Sequence, residues 1–312
     1  MKIWLHADDI GVTAGVTAGI LKSWESGVLD GFSIIANGDA ISIVKEALLS
    51  LPQQVAKLVA HLNLSEGPSS APSEQIPLLI DRFGNLNHSF GSLAISWIMG
   101  SAAYRRALVA QVEIEWCAQV LHIRKIIEPR QLAGIDGHVH VHMLPFLFAT
   151  AAKIAHDNAI PQIRISREPF FVVDWIRDLT TQYFVVNLLK HFVLRLCAMP
   201  ATKLAQERGL SYPSRIVGVL YTGHMTATAA LDGILAAQQD GAESVQIIFH
   251  IGRATDDDKR RWSKRSGLAK FNCSPDRDRE FRQLGLLHAM LLETGKRSRH
   301  AISHSAMSDS SE

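Results

Sequence analysis

Two adjacent carboxylates, Asp8 and Asp9, follow a short apolar run near the N-terminus, in the segment WLHADDIG at residues 4–11. Neighbouring carboxylates repel each other, so ionising both costs free energy unless a cation or a shared proton relieves the repulsion. Taken alone, the pair is also explained as a helix N-cap followed by an acidic first turn. Other polar residues of the chain are needed to decide between these interpretations.

The segment DGHVHVHMLP contains Asp136 and three histidines, His138, His140 and His142, at alternate positions. In an extended segment, the three imidazoles would project to the same side of the chain. A purely structural role would have to bury or solvate all three beside an aspartate. A metal site, with one or two of these histidines as ligands and the others close by, explains the pattern better.

Two further histidines, His61 in VAHLNLSEG and His250 in IIFHIG, stand at or near the ends of strand-like runs. Each one alone is explained as a core or strand-end histidine with a hydrogen-bond partner. Their coincidence with the acidic pair at successive strand ends favours one shared site, because α/β folds place their chemistry beyond the carboxyl ends of the strands. Carboxylate and imidazole ligands suit a divalent ion such as zinc, cobalt or manganese and, less readily, magnesium.

Strand-like apolar runs alternate with amphipathic helical patterns over most of the chain. The predicted strands are KIWLHA, LDGFSIIAN, VAKLVAHLNL, QLAGIDGHVHVH, QIRIS and SVQIIFHIG. Repeated strand, helix, strand units predict an α/β fold with a parallel sheet or barrel. The long loop rich in Ser, Pro and Gly at residues 65–91 is expected to be a lid or disordered.

The composition is that of a globular domain, with 47% apolar and 20% charged residues among 312. It predicts one domain over residues 1–295 and a disordered tail at 296–312. A net charge of +2 leaves little case for nucleic acid as a partner. Three scattered cysteines argue against a disulfide framework. The N-terminal residues leave no room for a signal peptide, which predicts a cytoplasmic protein.

One strongly apolar stretch, residues 183–199, is predicted to form a helix packed on the barrel. Four polar residues form a stripe along it: Asn187, Lys190, His191 and Arg195. A transmembrane helix needs ~20 predominantly apolar residues with few charges, so no transmembrane segment is predicted here. A homodimer or partner surface and a peripheral membrane contact remain open alternatives for this helix.

Several segments resemble the YdjC/ChbG-like carbohydrate deacetylase family, in that family's order and over most of residues 1–295. They are ADDIGVTAGVTAGI, GVLDGFSIIANGDA, AHLNLSEG, IDGHVHVHMLPFLF and VGVLYTGHMT, with HIG near the end. The resemblance implies a distorted (β/α) barrel similar to that of NodB-type polysaccharide deacetylases. It also implies a divalent metal and hydrolysis of the N-acetyl group of an amino sugar, with release of acetate.

The resemblance implies a role for each residue of the predicted site. The metal, zinc or magnesium above all, would have three ligands: Asp9, His61 and His138. Asp8 would be the general base that stays free to take a proton from the attacking water, and His250 would protonate the departing amine. Residues expected to orient ligands or contact the sugar are Asp136, His140 and His142.

The nature of the substrate stays open at this point, because the family resemblance covers enzymes acting on soluble oligosaccharides and on lipid-linked or polysaccharide-precursor sugars. Two alternative functions fit the same barrel: another metal-dependent hydrolase, acting on a phosphate ester or a different amide, and a non-catalytic protein that binds a carbohydrate or a metal. His6, Ile10 and the HIG element depart from the family's usual Asn, Phe and His-Pro-Gly.

Overall fold

A computed structural model describes residues 1–50, 56–261 and 266–296. The predicted tail therefore lies outside the described residues, except for Lys296 at its start. The fold is α/β, with a single sheet in which every strand pairing is parallel. The strands are β1 (Lys2–Ile10), β2 (Gly31–Ile34), β3 (Lys57–Leu62), β4 (Gly134–Gly137), β5 (Arg215–Val217) and β6 (Ser244–Phe249).

The strand order is β4-β3-β2-β1-β6-β5, which places β1 at the centre of the sheet. The inner strands are buried along nearly their whole length, as expected for a parallel sheet covered by helices. Because all strands are parallel, their carboxyl ends meet at one edge of the sheet. That edge carries the polar residues singled out by the sequence.

An irregular segment takes the place of a strand between β4 and β5. The backbone N–H of Ile135 donates to the carbonyl of Gln162 at 2.9 Å. On the other side, the N–H of Ile216 donates to the carbonyl of Arg167 at 3.1 Å. The strand predicted for QIRIS is therefore wrong, since this segment makes only isolated bridges. The curled sheet confirms the predicted distorted (β/α) barrel.

The helices cover the outside of the sheet. In chain order they are α1 (Ala14–Glu25), α2 (Ile41–Ser50), α3 (Phe90–Met99), α4 (Ala102–Ile127), α5 (Pro145–Asp157), α6 (Trp175–Leu179), α7 (Gln182–Glu207), α8 (Ala227–Gln239), α9 (Asp256–Arg261), α10 (Ser266–Asn272) and α11 (Asp276–Glu293). Helix α4 has one apolar face, on which Leu108, Val112, Trp116, Val120 and Ile123 are fully buried. A 3₁₀ turn at Ser73–Gln75 lies between β3 and α3.

The extended conformation predicted for the histidine-rich segment is wrong. Strand β4 ends at Gly137, and His138–Met143 forms short 3₁₀ turns separated by a kink at Val139 and His140, which have positive φ angles of 46° and 61°. The chain turns back here, so the His142 ring packs onto Gly137. A Cβ at Gly137 would lie 2.5 Å from Nδ1 of that ring.

We expect Gly137→Ala to lower the free energy of unfolding by roughly 1–3 kcal/mol, because the added methyl forces the buried His142 ring away. Gly285→Ala is the control. Gly285 lies inside α11 with no atom within 4 Å of an added Cβ, so this change should raise stability by about 0.5–1 kcal/mol. Urea unfolding of both variants measures the difference. Equal effects would contradict the packing described for Gly137.

The long loop at 65–91 is ordered and packed, so the expectation of disorder is wrong. Ile76 and Leu79 are fully buried, and both carboxylate oxygens of Glu115 accept backbone N–H groups of the loop. The loop ends at Ser89, whose hydroxyl caps α3. Buried apolar side chains hold this loop against the core, and the composition of the loop alone does not predict that packing.

Helix α7 is, among the described residues, long and apolar enough to cross a membrane by length and composition alone. Its inner face is part of the fold, with Phe184 and Leu194 buried and Asn187 donating to the carbonyl of Leu220 at 3.2 Å. This is the packed helix that the sequence predicts. Its outer face exposes apolar side chains such as Leu196, so the dimer surface and the peripheral membrane contact stay predictions.

Candidate metal centre and active site

Three buried side chains from different parts of the chain meet at the carboxyl edge of the sheet. Asp9 comes from the end of β1, His61 from β3 and His138 from the turn after β4. Each offers one potential ligand atom, and these atoms all lie within 4.8 Å of one another. The three predicted ligands are thus close enough to contact a common ion.

The carboxylate of Asp9 lies at the centre of this group. Its Oδ1 is 2.9 Å from Nδ1 of His138 and 3.4 Å from Nε2 of His61. Asp9 has a positive φ of 76°, which is uncommon for a residue other than glycine, and it lies where the β1–β2 register shifts. This irregularity aims both acidic side chains of β1 into the site. Arg277 approaches Oδ2 of Asp9 at 3.5 Å.

The residues present fit a divalent ion. One carboxylate and two imidazoles are the donor set of many zinc sites that keep an open coordination position. Burial opposes a charge on His61 and His138, but the facing Asp136 and Asp9 carboxylates raise their pKa values to about 10 and about 9, respectively. Without an ion, protons on these rings therefore supply the positive charge that the carboxylates attract.

We expect zinc binding at pH 7 to release roughly two protons, because both raised imidazoles must lose one proton to become ligands. Zinc affinity should rise steeply with pH up to about 9, the pKa of His138, and less steeply up to about 10, the pKa of His61. Titration calorimetry in buffers of different ionisation enthalpy counts the released protons. Binding without proton release would show that the two rings are neutral in the free protein.

A second group with ligand-like spacing consists of His6, Asp8 and Asp136. The side chain of Arg164 already supplies a positive charge to its two carboxylates. The Arg164 guanidinium donates to both oxygens of Asp8 at 2.8 and 2.9 Å and lies 2.7 Å from Oδ2 of Asp136. Burial opposes ionisation, but Arg164 holds the pKa of Asp8 well below its usual range. Asp8, expected to stay free of the metal as the general base, is thus paired with Arg164, and its role as the base stays a prediction.

A chain of hydrogen bonds orients the His61 ring. Oδ1 of Asp136 is 2.6 Å from Nδ1 of His61, and the Ser33 hydroxyl donates to Oδ2 of Asp136 at 2.6 Å. Nε2 of His6 lies 2.7 Å from the same hydroxyl. Burial, with Arg164 nearby, lowers the pKa of His6 to about 3, so this ring is neutral. Asp136 therefore makes the contact that its predicted orienting role requires.

The other two histidines of the motif contact the irregular segment that carries Arg164. Nδ1 of His140 is 2.7 Å from the Ser166 hydroxyl, and Nε2 of His142 is 2.8 Å from the carbonyl of Arg164. Burial lowers the pKa of His142 to about 4 and that of His140 well below its usual range, so both rings are neutral. Their contacts fix the backbone that presents Arg164.

His250 follows β6 and is partly buried against Phe271, with the two rings edge to face at 5.3 Å between centroids. Its backbone N–H donates to Glu280 at 2.7 Å. Burial lowers the pKa of His250 to about 4, although the charges of Asp9 and Asp8 oppose this shift. His250 is therefore a neutral imidazole at neutral pH, within the electrostatic reach of both acidic residues.

A family model of YdjC-like proteins matches residues 2–285. The chain belongs to the YdjC-like family. This membership confirms the resemblance drawn from the sequence motifs. It also places the converging residues of β1, β3 and the turn after β4 within the matched region.

Curated relatives of this YdjC-like chain have names that describe deacetylases. A carbohydrate deacetylase of Oceanobacillus iheyensis is 28% identical over 52% of this chain and 64% of its own length, so the match spans less than two thirds of that relative. A chitooligosaccharide deacetylase of Salmonella paratyphi B is 25% identical over 66% of this chain and 76% of its own length.

A solved structure from Enterococcus faecalis, of a protein described provisionally as a cellobiose-phosphate cleavage protein, has a similar fold. Its TM-score is 0.66, with 20% identity over 94% of this chain and 95% of the other. At this identity the likeness concerns the fold alone.

Sequence reasoning missed several charged residues of the site in this YdjC-like chain. Arg164 interrupts the apolar run QIRIS, and a cation inside a predicted strand is a signal that could have pointed to it. Lys190 lies on the inner side of α7, where burial lowers its pKa to about 8 in spite of Glu168 and the acidic pair of β1. Arg277 is 268 residues from Asp9 along the chain and offers no sequence signal.

A cavity of about 220 Å³ lies beside the predicted ligands. Its wall is about half polar, and the polar side chains in it are Asn37, Asp39, Asn63, Glu66 and Asn85. Glu66 links this cavity to the centre, because its Oε1 lies 3.0 Å from Nε2 of His138. A ligand in the cavity could therefore contact Glu66, the residue that faces His138.

Proposed function

We propose that this chain is a metal-dependent hydrolase that removes the N-acetyl group of an amino sugar and releases acetate. The convergence of Asp9, His61 and His138 beside Asp8 at one edge of the sheet is the observation that carries this proposal. The deacetylase names of the curated relatives support the reaction class. The family match over residues 2–285 supports a single catalytic domain that spans most of the predicted 1–295.

In this proposal the metal ligands are Asp9, His61 and His138, and the donor set suits zinc better than magnesium. When bound, a divalent ion would acidify water and polarise the amide carbonyl. Asp136 orients His61 through its short contact to Nδ1. Arg277, which lies 3.5 Å from Oδ2 of Asp9, would limit the negative charge of the centre.

The proposed reaction moves one proton through the residues of the chain. The oxygen of water bonds to the acetyl carbon while Asp8, as general base, accepts the water proton. Since Arg164 holds the pKa of Asp8 low, that proton is bound weakly and passes to the neutral His250 ring. His250 then protonates the sugar nitrogen as its bond to the acetyl carbon breaks, which leaves a free amine and acetic acid, and the acid ionises to acetate in solution.

The substrate is proposed to bind in the polar cavity beside the centre. Asn37 and Asn63 donate their amide hydrogens to the backbone of the loop after β3, so they shape the cavity wall. Asp39 and Asn85 offer carboxylate and carboxamide groups that can hydrogen-bond sugar hydroxyls. A soluble oligosaccharide of N-acetylated amino sugars is the substrate class to test first, with lipid-linked sugars next.

The test is product analysis with purified, zinc-loaded protein. A panel of N-acetylated amino-sugar oligomers and of sugar phosphates separates the candidate activities, because one class releases acetate and the other inorganic phosphate. Acetate release that is lost in His138→Ala and kept in the exposed control Glu46→Gln is the expected result. Phosphate release would show a different hydrolase, and sugar binding without either product would show a non-catalytic relative.

A further inference from the structure

The two imidazoles of the centre are held in the same way. His61 directs Nε2 towards Oδ1 of Asp9, at 3.4 Å, and Nδ1 towards Asp136, at 2.6 Å. His138 directs Nδ1 towards Oδ1 of Asp9, at 2.9 Å, and Nε2 towards Oε1 of Glu66, at 3.0 Å. Each ring thus has one nitrogen facing the shared carboxylate and the other facing a second, separate carboxylate.

Two asparagines hold the backbone of Glu66 in place. Asn37 and Asn63 both donate side-chain amide hydrogens to the carbonyl of Glu66, at 2.9 and 2.7 Å. The backbone N–H of Glu66 in turn donates to Oδ1 of Asn63 at 3.3 Å. With its backbone fixed at three points, the Glu66 side chain reaches towards His138 and is 5% exposed as a residue.

The geometry of the Glu66 and His138 pair leaves room for a better contact. Within the part of the chain that the structure describes, neither Oε1 of Glu66 nor Nε2 of His138 has a well-aligned hydrogen bond, although the two atoms are 3.0 Å apart. A buried carboxylate oxygen and a buried ring nitrogen at this distance are each other's natural partners, since leaving both unsatisfied is costly. A small rotation of either side chain would align them.

We propose that Glu66 is the positioning residue of His138, as Asp136 is of His61, and that it acts by accepting a hydrogen bond from the Nε2–H of that ring. This contact would fix the tautomer in which Nδ1 carries the lone pair on the side of Asp9. The inference rests on the proposed metal centre. It assigns to Glu66 a role in metal affinity rather than direct contact with the reacting atoms.

The experiment measures zinc affinity by competition with a chelator, without any activity assay. Glu66→Ala should weaken zinc binding by about 10- to 100-fold, the usual cost of losing a hydrogen-bond partner of a ligand histidine. Glu66→Gln should weaken it less, because its side-chain oxygen can still accept a hydrogen bond from Nε2–H. The exposed acid Glu46, changed to Gln, is the control and should leave the affinity unchanged.

Circular dichroism checks that each variant is folded. If Glu66→Ala does not fold, the zinc affinity of Glu66→Gln decides whether Glu66 has the proposed role. In the zinc-free protein above pH 9, where the His138 ring is neutral, its ¹⁵N shifts provide a second readout, because loss of Glu66 should release the ring from a single tautomer. Zinc affinity within twofold of the wild type in both variants would overturn the role of Glu66. Absence of zinc binding by the wild-type protein would instead overturn the proposed function itself.

Discussion

Replacing Asp8 by asparagine should lower kcat for acetate release by about 10²- to 10⁴-fold, the usual contribution of a general base. The reason is that asparagine cannot accept the proton of the attacking water. Metal content should stay the same, because the predicted ligands are Asp9 and two histidines. The measurement pairs steady-state acetate release with elemental analysis of the same preparation.

Asparagine has nearly the shape of aspartate and can still accept a hydrogen bond from Arg164, so the local packing should survive this change. Glu46→Gln removes one exposed acid elsewhere and serves as the matched control. Full turnover by Asp8→Asn would contradict the base role and would favour either another base or a non-catalytic protein.

Replacing Arg164 by methionine should lower the free energy of unfolding by about 3–5 kcal/mol at neutral pH. The change removes the cation that pairs with Asp8 and Asp136, at 2.8 and 2.7 Å, and leaves two carboxylates buried close together. A buried charge without a partner is much more costly than the pair itself is favourable. Urea unfolding at several pH values measures this loss.

The pH dependence of the same variant provides a check with a definite sign. Burial opposes the shift, but Arg164 lowers the pKa of both Asp8 and Asp136 in the wild type. Their contribution to stability is therefore present above the unfolded-state value near 3.8 and is lost as the pH falls. In Arg164→Met, burial and mutual repulsion would raise the pKa values of Asp8 and Asp136 above their unfolded-state values. The folded variant would then bind more protons than the unfolded chain, so mild acidification should stabilise it.

Arg215→Met is the control for Arg164→Met. Arg215 donates to Asp240 at 2.9 Å, but the Asp240 side chain is 40% exposed, so solvent screens the pair. Its loss should cost only about 0–1 kcal/mol. If Arg164→Met were as stable as Arg215→Met, this result would contradict the claim that Arg164 neutralises the buried carboxylates of Asp8 and Asp136.

Much of the fold could be predicted because the apolar periodicity of its elements is strong. The alternation of buried strands with amphipathic helices gave the parallel α/β barrel, and the end of β1 was placed correctly at the acidic pair. Asp9, His61 and His138 could be grouped because the carboxyl ends of parallel strands meet at one edge. Motifs similar to those of a known family then suggested a role for each of these residues.

The rest depends on contacts that local patterns do not encode. The alternating histidines are typical of a strand, but the chain turns back at Val139 and His140, and the His142 ring packs onto Gly137. Arg164 supplies a positive charge that reduces the repulsion between Asp8 and Asp9, and it comes from the irregular segment between β4 and β5. Glu66 lies in a loop whose composition predicts disorder, although two asparagines fix its backbone.

Anomalous diffraction from zinc-soaked crystals, recorded at the zinc absorption edge, tests the central claim most directly. The account predicts one strong peak about 2.0–2.2 Å from a carboxylate oxygen of Asp9 and from one ring nitrogen each of His61 and His138. A map with no peak between these side chains, while Asp9 keeps its contacts to the two rings, would contradict the account.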